Sequence, residues 1–186
     1  HFFKLVQERS NVVQADLFGG TAKKKKKAAA TVSEKELLAL YDQEWIEDWY
    51  LSQQHREEYY AKGKKLLQEF YLSLNGVLPV PLYLEQDFNL KLHDYFLKGT
   101  IDRIDKVGTK PDEVEIIDYK TGKIPKGGKL GPEEREQLML YDIACRDVLK
   151  LKPVLLSYYY LEVNKKISFT ADEAQVAAVR TGLVAR

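Results

Sequence analysis

Cysteine and methionine are nearly absent: Cys145 and Met139 are the sole examples among 186 residues. A lone cysteine excludes an intrachain disulfide and fits a reducing compartment. No apolar run approaches the roughly 18 residues needed to cross a bilayer, and no secretory leader is visible, so the expectation is a cytoplasmic protein without a membrane partner. An excess of charge is missing too, since 29 Lys and Arg face 28 Asp and Glu for a formal charge of +1. Five of the positives sit together at Lys23 to Lys27, leaving the rest of the chain net acidic, and overall charge therefore says nothing about nucleic acid. An initiator methionine is also lacking, and His1-Phe-Phe-Lys-Leu-Val begins inside a helical pattern, so a fragment of a longer polypeptide is expected.

What the chain has is 45% hydrophobic and 31% charged residues, enough for one well-buried core with an appendage. Residues 1–31 read as a helix fragment followed, from Asn11, by a Lys-rich flexible linker, because like charges repel along it. Ser33-x-x-Glu36 is a capping box, and Leu37, Leu38, Tyr41, Trp45 and Trp49 follow at helical spacing to about Asp48. A second helix spans about Gln53 to Leu74, with His55 on its polar side as a solvated histidine. The alternating segment Tyr83 to Leu92 reads as a strand, with His93 in the turn after it. Pro132-Glu-Glu opens a helix to about Leu149 that carries Leu138, Cys145 and Val148 toward its buried side. Strands at Pro153 to Leu161 and through Phe169 and a last helix from Ala174 to about Arg180 complete the order. The expected fold is α/β, a central mixed sheet flanked by helices, with helices over 32–76, the sheet core over 77–170 and a terminal helix in 171–186.

The informative stretch runs from Gly99 to Gly122. Apolar and β-branched residues on either side of Gly108-Thr-Lys-Pro-Asp112 predict antiparallel strands over Tyr95 to Val107 and Glu113 to Thr121. A hairpin centred near Lys110 sets position 102 against position 118. Side chains alternate along a strand, so Asp118 and Lys120 share a face with Ile116 and Val114, and Asp102 joins them if the register holds. Charges on such a face need each other or a metal. Paired Asp oxygens suit a hard cation such as Mg²⁺, with a lysine beside it to orient water, which is equipment for phosphodiester hydrolysis. Taken alone, the three residues read more readily as a structural ion-pair triad, since such networks mimic active sites; it is the Gly and Gln/Tyr elements beside them that reverse the preference.

Three elements together resemble the PD-(D/E)XK nuclease superfamily in its RecB-like branch, found at the C-terminus of UvrD-type helicases. They are Gly99-x-x-Asp102-Arg103, Asp118-Tyr-Lys-Thr-Gly122 and Gln137-x-x-x-Tyr141. The resemblance implies a restriction-endonuclease-like core and a metal-dependent DNA nuclease domain of a helicase-nuclease acting in DNA end processing, recombination or repair. Its partners would be DNA and a helicase in the same or another chain. It implies Asp102, Asp118 and Lys120 as catalytic residues and Mg²⁺ or Mn²⁺ held by Asp102, Asp118 and the Tyr119 carbonyl. Gln137, Tyr141, Arg103, Glu85 and Lys123 would touch DNA or support the site, Lys123 from a Gly- and Lys-rich loop after the second motif. Some relatives carry an iron–sulfur cluster on four cysteines, which Cys145 alone cannot supply. The family's catalytic histidine precedes the sheet; His1 lies near that place without the expected spacing, which leaves an inactive DNA-binding or scaffolding module as the alternative function.

Overall fold

The computed structural model describes residues 1–18 and 32–184, and its contacts divide at Val80/Pro81 into two compact units. The Lys-rich stretch at Lys23 to Lys27 lies outside the described residues.

The first unit is helical: α1 (Phe2–Phe18), α2 (Glu34–Glu44) and α3 (Gln53–Ser73). The first helix continues past Asn11, where a linker was expected. Phe2 packs edge-on against Phe70 and Tyr71 of α3, with ring centroids 6.2 and 6.5 Å away, and the Tyr71 hydroxyl donates to the Val32 carbonyl at 2.9 Å. The capping box forms as the sequence predicts: the Glu36 amide donates to Ser33 Oγ, and Glu36 Oε2 accepts from the Ser33 amide. Arg9 pairs with the same carboxylate, and that pair, followed by the Ser33 bonds, holds Glu36 down at about 2.

Helix α2 stops at Glu44, short of the expected Asp48, and its C-cap Trp45 is extended. Trp45 stacks on Tyr50 at 5.3 Å and meets Tyr60 edge-on at 5.1 Å, so ring packing in the connection outcompetes another helical turn. Trp49 consequently leaves the apolar stripe and stands 94% exposed. His55 also departs from the free surface histidine expected, because its Nδ1 accepts from the Leu51 amide and its ring lies 4.5 Å from Tyr59.

The second unit holds a five-stranded mixed sheet in the order β1-β2-β3-β4-β5. The strands are β1 (Pro81–Leu92), β2 (Tyr95–Lys106), β3 (Glu113–Lys120), β4 (Lys152–Tyr160) and β5 (Lys165–Phe169). All neighbours are antiparallel except β3 and β4, which pair in parallel. That parallel pair requires a crossover, and α4 (Pro132–Ala144) supplies it, with α5 (Glu173–Val184) packed beside it. Ile104, Val114, Ile116, Leu156 and Tyr158 from three central strands meet Leu138 and Ile143 of α4 in one core. The crossover helix ends in a π turn, Cys145–Leu149, closed by Lys150 in the left-handed region at φ 59. A π turn adds a residue per turn and rotates the side chains after it, so Val148, expected near the buried side, is 40% exposed. Burial pushes the Cys145 thiol up to about 12, so it is an inert core side chain.

Candidate active site

The β2–β3 ladder runs Arg103↔Ile117, Ile104↔Ile116, Asp105↔Glu115 and Lys106↔Val114. One step further in this register sets Asp102 against Asp118, as the hairpin predicts. Beyond Arg103 the backbone ladder stops, and the Tyr119 amide donates instead to Asp102 Oδ2 at 2.8 Å. Asp102 thus reaches across to β3 beside Asp118, whose carboxylate feels its charge.

Asp118 is 5% exposed. Burial raises its pKa, the adjacent Lys120 ammonium pulls the other way, and Asp102 adds a further upward push. Lys120 Nζ stands 2.8 Å from Asp118 Oδ2, an ion-pair distance, yet the contact is misaligned and that buried oxygen completes no hydrogen bond. The ammonium's directed bond goes elsewhere, to Gln137 Oε1 at 3.2 Å. A buried carboxylate oxygen left without an aligned donor has spare capacity for another electropositive partner.

Gln137 and Tyr141 lie one turn apart on α4, and Gln137 Nε2 donates to the Tyr141 hydroxyl at 3.1 Å. The link missed by sequence reasoning is Tyr158, which by sequence is one more strand residue. In the parallel ladder Tyr158 is the neighbour of Asp118. It is fully buried, its ring lies 4.6 Å beneath Lys120 Nζ, and its hydroxyl sits 2.8 Å from Gln137 Oε1 and 2.9 Å from the Glu134 carbonyl. Burial, with Asp118 nearby, drives its pKa upward, so it stays a neutral donor. No signal short of the parallel register identifies which of three consecutive tyrosines faces the site. Tyr158→Phe keeps the ring under Lys120 and removes the bond to Gln137. It should cost about 0.5–1.5 kcal/mol of stability, read from urea unfolding. If the hydroxyl steadies Lys120 through Gln137, any nucleolytic kcat should fall about tenfold with KM unchanged; an unchanged kcat would assign the hydroxyl to packing alone.

The other expected residues fall in different surroundings. Arg103 is 5% exposed, with its guanidinium bound to both oxygens of Asp105 and donating to the Tyr119 hydroxyl at 3.0 Å. That position braces β2 against β3 behind Asp102 and gives it no open surface. Glu85 stands opposite Asp102 on β1, between the pairs Leu84↔Arg103 and Gln86↔Ile101, exposed and at φ 49. Lys123 is exposed in the loop three residues past Lys120. His93 lies in the β1–β2 turn at φ 49, and His1 is 3.5 Å from Glu44 within the helical unit. Among the described residues no three His, Cys, Asp or Glu side chains gather to hold a metal unaided. Two adjacent carboxylates, one with a buried oxygen that completes no directed hydrogen bond, still fit a hard cation that keeps much of its own water.

Gly99 has a steric origin. A Cβ there would stand 2.7 Å from Cζ of Phe88, whose ring meets Tyr141 edge-on at 6.0 Å. Glycine at 99 therefore lets Phe88 lie flat on β2 and support the tyrosine that Gln137 holds.

Comparisons with known proteins bear on this arrangement. No curated protein matches the sequence. Among solved structures, the crystal structure of SSO0001 aligns over 96% of this chain and 84% of its own at 14% identity and a TM-score of 0.34, a likeness too loose to bear on fold or chemistry. The family model of the PD-(D/E)XK nuclease superfamily matches residues 11–185, and with nearly the whole chain inside that match, this protein belongs to the PD-(D/E)XK nuclease superfamily.

Proposed function

We propose that the chain is a metal-dependent deoxyribonuclease domain of the RecB-like branch. It would act within a cytoplasmic helicase-nuclease that trims DNA ends during recombination or repair. The observation that carries this reading is the buried Asp118 carboxylate, raised in pKa beside Asp102, with an oxygen that is approached by the Lys120 ammonium but completes no directed hydrogen bond. Perturbed carboxylates cluster at functional sites, and here the Lys120, Gln137 and Tyr158 network converges on one.

Asp102, Asp118 and the Tyr119 carbonyl would hold Mg²⁺ or Mn²⁺. Bound there, the cation supplies a Lewis acid for a phosphoryl oxygen and a water of lowered pKa. Lys120 Nζ, held by Gln137 and lying over Tyr158, orients the attacking water and balances charge that develops on the phosphoryl oxygens. Gln137 and Tyr141 limit the lysine's rotamers, and Lys123 is placed to meet a flanking phosphate.

The test incubates the 186-residue chain with labelled single-stranded DNA, duplex DNA and RNA, in Mg²⁺, Mn²⁺ or EDTA. Cleavage should require the cation, and Asp102→Asn and Lys120→Ala should each lower the rate by at least about a hundredfold. Cleavage that persists in EDTA, or that survives both substitutions, would overturn the assignment. Tight binding without cutting under any cation would favour the scaffolding alternative.

A further inference from the structure

The connection between α2 and α3 departs from the rule that large apolar side chains hide. Ile46, Trp49 and Leu51 are 64%, 94% and 93% exposed, and Tyr59 joins them, half-exposed, from the next helix. Single apolar side chains scattered over a surface need no explanation, whereas a cluster of large ones marks an interaction site.

The cluster is held out by the packing beneath it. Trp45 stacks on Tyr50 at 5.3 Å, the Tyr50 ring meets that of His55 edge-on at 5.8 Å, and His55 Nδ1 accepts from the Leu51 amide at 3.4 Å. Ser52 then caps α3, its Oγ accepting from the His55 amide at 3.1 Å. Residues 46–49, all exposed, form the loop between these pinned ends. At its end Trp49 takes φ 80, a left-handed conformation that is strained for a bulky side chain, and it gains almost no burial in return. Strain of this kind clusters at binding surfaces and ligand clamps.

The charges around the loop select its partner. From Asp42 to Tyr59 six carboxylates, those of Asp42, Glu44, Glu47, Asp48, Glu57 and Glu58, face the single guanidinium of Arg56, in a chain whose formal charge is +1. All six are exposed. Arg56 pairs with Glu47 at 3.1 Å and Lys64 of α3 with Asp42 at 2.7 Å, which leaves the rim acidic. Such a rim repels the phosphates of nucleic acid and of anionic lipid, and it repels a second copy presenting the same rim. A protein surface with an apolar stripe edged by Lys and Arg complements both the cluster and the rim.

We propose that the α2–α3 connection is a protein-docking knob, in which Trp49, flanked by Ile46 and Leu51, enters an apolar stripe on a partner whose Lys and Arg side chains meet the acidic rim. Tryptophan is among the residues that most often dominate binding energy, and the pinned ends leave little to be ordered on contact. The knob lies wholly in the helical unit and is independent of whether the chain cuts DNA.

The full 186-residue chain is titrated into a fluorescein-labelled Leu/Lys peptide and into its Leu/Glu counterpart, with anisotropy as the readout. Each peptide has about fifteen residues, long enough for an amphipathic helix with a leucine stripe between charged edges. The Leu/Lys peptide should bind and the Leu/Glu peptide should not. Trp49→Asn should weaken binding at least about tenfold without lowering the melting temperature, because asparagine accepts left-handed backbone and the indole packs against almost nothing. Glu47→Gln combined with Asp48→Asn should weaken it several-fold at low salt, and the difference should shrink at high salt. A lowered melting temperature in Trp49→Asn would make the indole a packing residue and overturn the knob. Equal affinity for the two peptides, or Leu/Lys binding indifferent to Trp49, would overturn it too. The rival occupants are tested with the same variant. Binding of phosphatidylserine vesicles or of oligothymidylate that is lost in Trp49→Asn would overturn the protein partner in favour of a membrane or a nucleic acid. A dimer seen in sedimentation and dissolved by Trp49→Asn would overturn it in favour of a second copy.

Discussion

Asp118→Asn should abolish the proposed cation-dependent cleavage and raise the melting temperature of the metal-free protein. The two halves share one cause. In the wild type a carboxylate is held in a nearly waterless position beside Asp102, with a lysine close but misaligned. Its pKa is raised above the ordinary 3.8, so the native state binds that proton more tightly than the unfolded chain does. Native stability therefore falls as pH climbs from the ordinary value through the raised one, and the loss persists above both. Asparagine has no such proton to lose. Its advantage over wild type should be small in acid and grow across that window, each kcal/mol relieved appearing as about 2–4 °C in a domain of this size. Lys120 limits the gain, because it loses an ion-pair partner. Added Mg²⁺ should reverse the order by raising the melting temperature of the wild type and leaving the variant unmoved. An equal Mg²⁺ shift in both would show that Asp118 is not a ligand, and undiminished cleavage by the variant would move the chemistry elsewhere.

The residues behind that prediction were legible in the sequence because a hairpin's register is set by its centre. Gly108 to Asp112 fixes the turn, period-2 alternation fixes the faces, and the observed pairs Arg103↔Ile117 and Ile104↔Ile116 agree with the expected set of 102 against 118. Capping signals were equally local, and Ser33, Glu36 and Pro132 act as their chemistry requires. Features that depend on distant partners were not legible. Tyr158 lies beside Asp118 in the candidate site only because β4 lies parallel to β3, and a parallel register is set by the crossover helix rather than by any nearby turn. Val148 was misplaced because a π turn leaves no mark on hydrophobic spacing. Trp49 fits the helical stripe by count alone, whereas the stacking of Trp45 on Tyr50 ends the helix before it. Arg103 shows the remaining gap: a motif gives its presence beside Asp102, but only the alternation of β2 and the position of Asp105 show that it points into a buried pair.

Gly99→Ala should lower stability by about 1–3 kcal/mol, although most glycine-to-alanine changes in extended chain are mild or favourable. The new carbon would lie 2.7 Å from Cζ and 2.9 Å from Cε1 of Phe88, inside contact distance. Phe88 is 5% exposed, and its ring is held by Tyr141 on the far side, so it cannot swing into solvent to make room. Relief must come from displacing Tyr141 or bending β2, and both routes reach the site. Moving Tyr141 slackens Gln137, which otherwise holds Lys120 Nζ; bending β2 shifts Asp102 against Asp118. A fall in cleavage rate should therefore accompany the fall in stability, at temperatures where the variant is still folded. The discriminating variant combines Gly99→Ala with Phe88→Leu. The smaller branched side chain vacates the ring's outer edge, so the pair should recover much of the lost stability, giving a double-mutant coupling well outside additivity. Urea unfolding of the four proteins measures that coupling. Additive losses would mean that the ring is not what forbids a side chain at 99.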